Sequence, residues 1–352
     1  MANFAKILSS ASAGALLAAI ALPAVAQDEW VMPRTEYGHP DLQGNWNNGT
    51  MTPVQRPPGL EKVLSATQVA ALEEGRQDFI KESAEASDPD REAPPEGGVD
   101  WSGDPLLDGA SGGTGGYNYF YIDAGDNVSI YNGEPRSSLV VDPPDGRIPE
   151  LTDEAKAGFA ARAASTMGQY DNPENRPMGE RCLLSFGNNL GPPLLPNYFY
   201  NNNYTIVQTE DQVLIMTEMV HDYRVIRLGE GPVLPDHIRP WFGDSRGYWD
   251  GDTLVVETSN LPLKQVNAAR YIYPGGSEQF QVTERFTRVG PDDLNYEFTV
   301  NDPGFYTASW SGEVPMQRMD ELLYEYACHE ANYSLFNVLS GARAEEEREN
   351  GE

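Results

Sequence analysis

Cysteine is nearly absent: the 352 residues include only two, Cys182 and Cys328. Neither a CxxC redox pair nor the Cys/His spacing of a zinc module can be built from them. Histidine is scarce too. The four are His39, His221, His237 and His329, and none stands in an HExxH arrangement. A zinc site assembled from distant strands stays open. Positive charge is short: 24 Lys and Arg face 54 Asp and Glu, for a net charge of −30. Such a chain repels nucleic acid and anionic membranes, and it disfavours polyanionic substrates. After residue 26 no apolar run approaches the length of a membrane span. A G-x-S-x-G elbow, a cofactor motif, βαβ alternation and an internal repeat are all missing. What survives is an acidic, cofactor-free chain with a small molecule as its partner. The oligomeric state is left open.

Residues 1–26 have the layout of a secretory signal peptide. Lys6 opens it, Ile7 to Ala21 is apolar, and Ala24-Val25-Ala26 is an A-x-A cleavage site. In an exported chain the two cysteines are expected to form one disulfide. About 326 residues remain, which is long for one domain but within the range of β-barrels with long loops. The reading is a single domain over 27–341, with a flexible loop at 84–116 and a charged tail at 342–352. The loop is acidic and rich in Pro, Gly and Ser.

Strand signals dominate from Tyr117 onward. "YTIVQTE" and "QVLIMTEMVHDYRVIRL" read as an antiparallel pair turning at Glu210-Asp211. "SRGYWDGDTLVVETSNL" is a hairpin with Asp250-Gly251 at its turn. "FQVTERFTRVGPDDLNYEFTV" is another, and "LLYEYACHEANY" reads as a last strand. Two helices interrupt the strands. One lies in 61–83 with Ser65 as its N-cap, and the other starts at Thr152. The expected fold is mostly β, an antiparallel lipocalin-like barrel, with a β-sandwich as the alternative.

Two resemblances bear on this. "DLQGNW" resembles the G-x-W on the first strand of lipocalin-like barrels, here Gly44 and Trp46. "GHPDLQGNW", "SLVVDPPDGRIP", "NNNYTIVQT", "EMVHDYRVI", "GDSRGYWDGDTLVVET" and "YEYACHEANY" resemble blocks of a family of exported proteins. That family is common in environmental proteobacteria and acidobacteria and has no assigned activity. The resemblance implies export and one long module, and it transfers no catalytic residue.

The densest chemistry lies in "MTEMVHDYRVIRL", where Glu218, His221, Asp222 and Arg224 crowd an apolar strand. Charges on a strand covered on both sides must be paired or face a polar cavity. Asp222 and Arg224 share a face and are expected to pair structurally. Glu218, about 13 Å from Asp222 along a strand, needs a partner from elsewhere. Either the cluster fixes register or it is a proton-transfer site in a barrel mouth. The expected catalytic set is His221, Glu218, His329 and Glu330, with His221 facing a pocket near His329 or Glu330. Arg239, Trp241, Arg246 and Tyr223 are the expected substrate-binding residues, since Arg beside aromatics suits a sugar, a carboxylate or a ring. The activity that follows is acid/base chemistry on a small neutral, aromatic or glycosidic molecule, by a lyase, hydratase, isomerase or hydrolase. The alternative is a periplasmic binding protein for a hydrophobic or glycosidic ligand.

Overall fold

A computed structural model describes residues 30–84, 90, 122–164, 168–184, 191–196, 200–229, 231–262 and 276–351. The expected leader and nearly all of the expected 84–116 loop lie outside these. Met32–Glu352 form one compact unit. Among the described residues no helix is long and apolar enough to cross a membrane.

The fold is mostly β, with a closed barrel of nine strands. These are β1 (Gly44–Asn47), β5 (Asn203–Gln208), β6 (Gln212–Thr217), β7 (Asp222–Leu228), β8 (Asp244–Asp250), β9 (Thr253–Ser259), β10 (Gln281–Arg288), β11 (Asp293–Asn301) and β12 (Trp310–Met319). They neighbour one another in that order, and β1 pairs with β12 to close the ring. The remaining strands are a short hairpin, β2 (Ile130–Tyr131) with β3 (Glu134–Pro135), and β4 (Val140–Asp142), which pairs with β12. Three helices are described: α1 (Ala66–Ser83), α2 (Asp153–Ala164) and α3 (Tyr333–Asn350).

Strand alternation builds the barrel. On β10, Val282, Glu284, Phe286 and Arg288 are buried, and on β11, Leu294, Tyr296, Phe298 and Val300 match them. The interior is filled by large side chains. Trp46, Tyr204, Phe286, Tyr296, Phe298 and Trp310 are all buried in one cluster. Ring centroids are 4.8 Å apart for Phe286–Tyr296 and 5.3 Å for Phe298–Trp310. Gly312 on β12 makes that packing fit, because a Cβ there would come within 2.4 Å of the Phe298 ring. Trp46 donates its indole N–H to Leu42 O at 2.9 Å and lies under the guanidinium groups of Arg288 and Arg318. At the β8–β9 turn, Gly251 takes φ +62°, the backbone that the tight hairpin needs. Ser65 caps α1 as expected. Its Oγ accepts from Gln68 N at 3.3 Å, and Gln68 Oε1 accepts from Ser65 N at 2.9 Å, a capping box.

Several expectations are corrected. The barrel is mixed, because β7 and β8 run parallel. Pro232, Pro235 and Pro240 lie in the loop between them; they lack N–H groups and fix φ, which keeps that loop out of a ladder. The chain then re-enters the sheet in the same direction. "LLYEYACHEANY" is irregular chain leading into α3, and its Leu322 and Tyr324 are exposed. The last strand is β12. The run at 212–228 is two strands, with a turn between Thr217 and Asp222. The charged tail belongs to α3, a helix that buries none of its side chains.

Candidate functional site

The 217–222 turn stands at one rim of the barrel. Register places Asn47 opposite Asn203 and Tyr204 opposite Thr217, so the ends of β1 and β6 meet the start of β5 there. Thr217 Oγ1 donates to Met219 O at 2.9 Å, and His221 N donates to Glu218 O at 3.0 Å, which tightens the turn. Glu218 is buried within it, 4% exposed. Its Oε2 accepts from Asn203 Nδ2 at 2.5 Å, its Oε1 from Tyr324 N at 3.4 Å. Asn203 Oδ1 in turn accepts from Asn47 Nδ2 at 2.6 Å. Asn47 also stands near enough to Asp123 to favour its charged form.

The Asp123 carboxyl is held above the usual carboxylate range. Desolvation by the packed rim contributes most, followed by the negative charges of Asp126 and Glu218; Arg76 and Asn47 pull it part of the way back. Asp123 is itself an exposed residue, so solvent tempers this desolvation.

Beside the turn lies an open cleft of about 210 Å³, lined by Cys182, Val220, Tyr326, Cys328, His329 and Glu330 among others. Cys182 and Cys328 form a disulfide here, with Cα atoms 5.7 Å apart. A formed disulfide is compatible with an extracellular or periplasmic protein. The backbone around the cleft is strained. Apart from Asn132, Asn201 and Asn260, the described non-glycine residues with positive φ are Cys182, Val220, His221 and Ala331. Cys182 and Val220 line the cleft, and His221 and Ala331 each adjoin a lining residue. A β-branched residue at φ +65°, as Val220 is, is a backbone outlier of the sort that gathers at functional sites.

Of the expected catalytic residues, Glu218 is in this turn, and His329 and Glu330 are in the cleft with Val220. His221 follows Val220 but is exposed and is not among the lining residues. The expected binding residues are not gathered. Arg239 donates to Leu261 O at 2.9 Å, and Arg246 donates to Pro232 O. Trp241 packs on the Met178, Leu184 and Phe242 cluster, and Tyr223 stands exposed on β7.

The expected Asp222–Arg224 pair is replaced by a different one. At the start of β7, Asp222 Oδ1 folds back to accept from Tyr223 N at 2.7 Å. Arg224 points into the lumen and holds Glu284 of β10 through two bonds, at 2.5 and 2.9 Å. Tyr296 OH donates to Glu284 Oε1 at 2.9 Å and accepts from Leu194 N at 2.8 Å. Burial, and then Glu284, push the Tyr296 phenol well up, so it stays a donor. Glu284 was legible in principle, since V-T-E-R-F places it between two inward apolar residues. Asp222→Ala is accordingly expected to change stability by no more than about 0.5 kcal/mol. A loss of several kcal/mol on denaturant titration would show that Asp222 supports Arg224 after all.

Among the described residues, no group of three or more His, Cys, Asp or Glu is arranged to hold a metal ion. No known protein family, curated protein or solved structure gives a significant match to the chain.

Proposed function

We propose that the rim site is the active centre of an exported enzyme performing acid/base chemistry on a small neutral molecule of aromatic or glycosidic character. The reaction class is lyase, hydratase, isomerase or hydrolase. The carrying observation is Glu218: a buried carboxylate held by two donors inside a strained turn, beside an open cleft. Glu218 is the base. Asp123, whose carboxyl is raised and lies near Asn47, is the acid. His329 and Glu330 meet the substrate in the cleft. A net charge of −30 favours neutral over anionic substrates. The filled interior speaks against the alternative, a binding protein holding its ligand in the lumen.

The test incubates a metabolite extract from the source cells with the purified protein and with Glu218→Gln. Some compound is expected to be consumed by the parent and spared by the variant, with the rate lower by about 10²–10⁴. The variant should melt near the parent temperature. On the alkaline side the parent rate should fall as Asp123 loses its proton, and Asp123→Asn should remove that limb. Equal turnover by parent and Glu218→Gln, or no turnover at all, sinks the proposal.

A further inference from the structure

We propose that the Cys182–Cys328 disulfide is a redox latch: a dithiol reductant opens it, releases the C-terminal segment 321–351 from the rim, bares Glu218 and withdraws His329 and Glu330 from the cleft, so that reduction switches the proposed activity off. The two sides of the bond are anchored unequally. Cys182 follows Met178 and precedes Leu184, both buried in a cluster with Phe242. Cys328 is carried by a segment whose apolar side chains are at most half-buried. Leu322 and Tyr324 are 82% and 81% exposed, and α3 buries no side chain. The ties of this segment include polar contacts at its edge. Asn45 Nδ2 donates to Glu321 O at 2.7 Å, Asn332 Nδ2 to Glu180 O at 2.9 Å, and Arg343 Nη2 to Tyr170 O at 2.9 Å. Another tie is the Tyr324 amide on Glu218, so the segment covers the carboxylate that the proposed activity uses. Surface polar contacts of this kind are each weak in water. The covalent bond is the one tie of the segment that a reductant cuts.

The exchange runs by ordinary thiol chemistry. The bond lies on the wall of the open cleft, and Cys328 is the less buried partner. A thiolate of the reductant attacks Cys328 Sγ. The S–S bond breaks, and its electron pair leaves on Cys182 Sγ, which then takes a proton from water. Asn332 Nδ2, 3.3 Å from Cys182 Sγ, steadies the departing thiolate. The second thiol of the reductant, as thiolate, attacks its own sulfur in the mixed disulfide and releases Cys328, which takes up the second proton. The reductant ends as a cyclic disulfide, and two electrons have entered the protein.

The significance of the latch rests on the proposed role of Glu218, but its opening is read without any catalysis. The full chain is compared oxidised and after treatment with dithiothreitol followed by alkylation, well below its melting temperature. Carboxyl groups are labelled with a carbodiimide and an amine, and peptides are read by mass spectrometry. Hydrogen exchange is followed in parallel. On reduction, Glu218 labelling should rise about tenfold and the Tyr324 amide should lose its protection, while β10 and β11 remain far better protected than that amide. A monothiol such as cysteamine should trap its mixed disulfide on Cys328. Failure of excess dithiol to free the two thiols in native buffer overturns the latch. So does a Glu218 that stays unlabelled once they are free, because the segment then holds without the bond. Loss of protection across β10 and β11 down to the level of the Tyr324 amide overturns it too, since the bond would then be what keeps the barrel folded. A mixed disulfide on Cys182 overturns the stated order of attack. Loss of activity in Glu218→Gln bears on the enzyme reading alone, and the labelling bears on the latch alone.

Discussion

Glu284→Leu is expected to lower the free energy of unfolding by about 3–5 kcal/mol, while Arg224→Met together with Glu284→Leu recovers most of the loss. The asymmetry follows from where the pair sits. Arg224 and Glu284 are 3% and 0% exposed and join opposite sides of the lumen through two short bonds. Phe286, Phe298 and Tyr204 share that interior cluster, so no water replaces a missing partner cheaply. Removing the carboxylate strands a guanidinium in an apolar interior and takes the acceptor from Tyr296 OH. Removing both charges ends the first cost. The second remains, at about 1 kcal/mol for one unmade hydrogen bond. Denaturant titration of parent, single and double variants gives the coupling directly. A double variant as unstable as the single would mean that packing volume, not stranded charge, controls this site.

The same pair shows where sequence reasoning stops. The β8–β9 and β10–β11 hairpins were legible, because alternation and turn chemistry agree at Asp250-Gly251 and around Pro291. Ser65 was legible as a cap, and pairing of the cysteines followed from there being two in an expected exported chain. The turn in "TEMVHD" was not. It contains no Gly, Pro or Asn, and it sets Val220 and His221 in left-handed backbone, which the β-branched Val220 disfavours. Read as one strand, it put Asp222 beside Arg224 and hid the partner on β10, 60 residues away. β12 was obscured by Gly312 and Pro315, residues that strands usually lack. Their roles depend on a Phe298 ring and a register that appear only when the barrel closes. The rim amides were hidden as well. Asn47 and Asn203 read as loop polarity, and only the strand ends bring them to Glu218.

Replacing both cysteines, as Cys182→Ser with Cys328→Ser, is expected to cost up to about 5 kcal/mol of unfolding free energy, the chain-entropy value for a loop of this length. The bond spans 146 residues, and eight of the nine barrel strands, β5 to β12, lie within that span. In the unfolded chain it holds two distant points together, and its removal returns that freedom. The native state gains some freedom too, because the weakly anchored 321–351 segment moves once released. The measured loss should therefore fall below the entropic figure by whatever that segment gains. Two readings separate the contributions. The denaturant dependence of the unfolding free energy should steepen without the bond, since the unlinked chain exposes more surface. A second variant that also ends the chain after residue 320 removes the native-state gain, so it should show the larger loss relative to a disulfide-bonded parent. If the double serine variant unfolds at the parent midpoint with an unchanged slope, the bond constrains neither state. The strain around Cys182, Val220 and Ala331 would then have to be maintained by the turn itself.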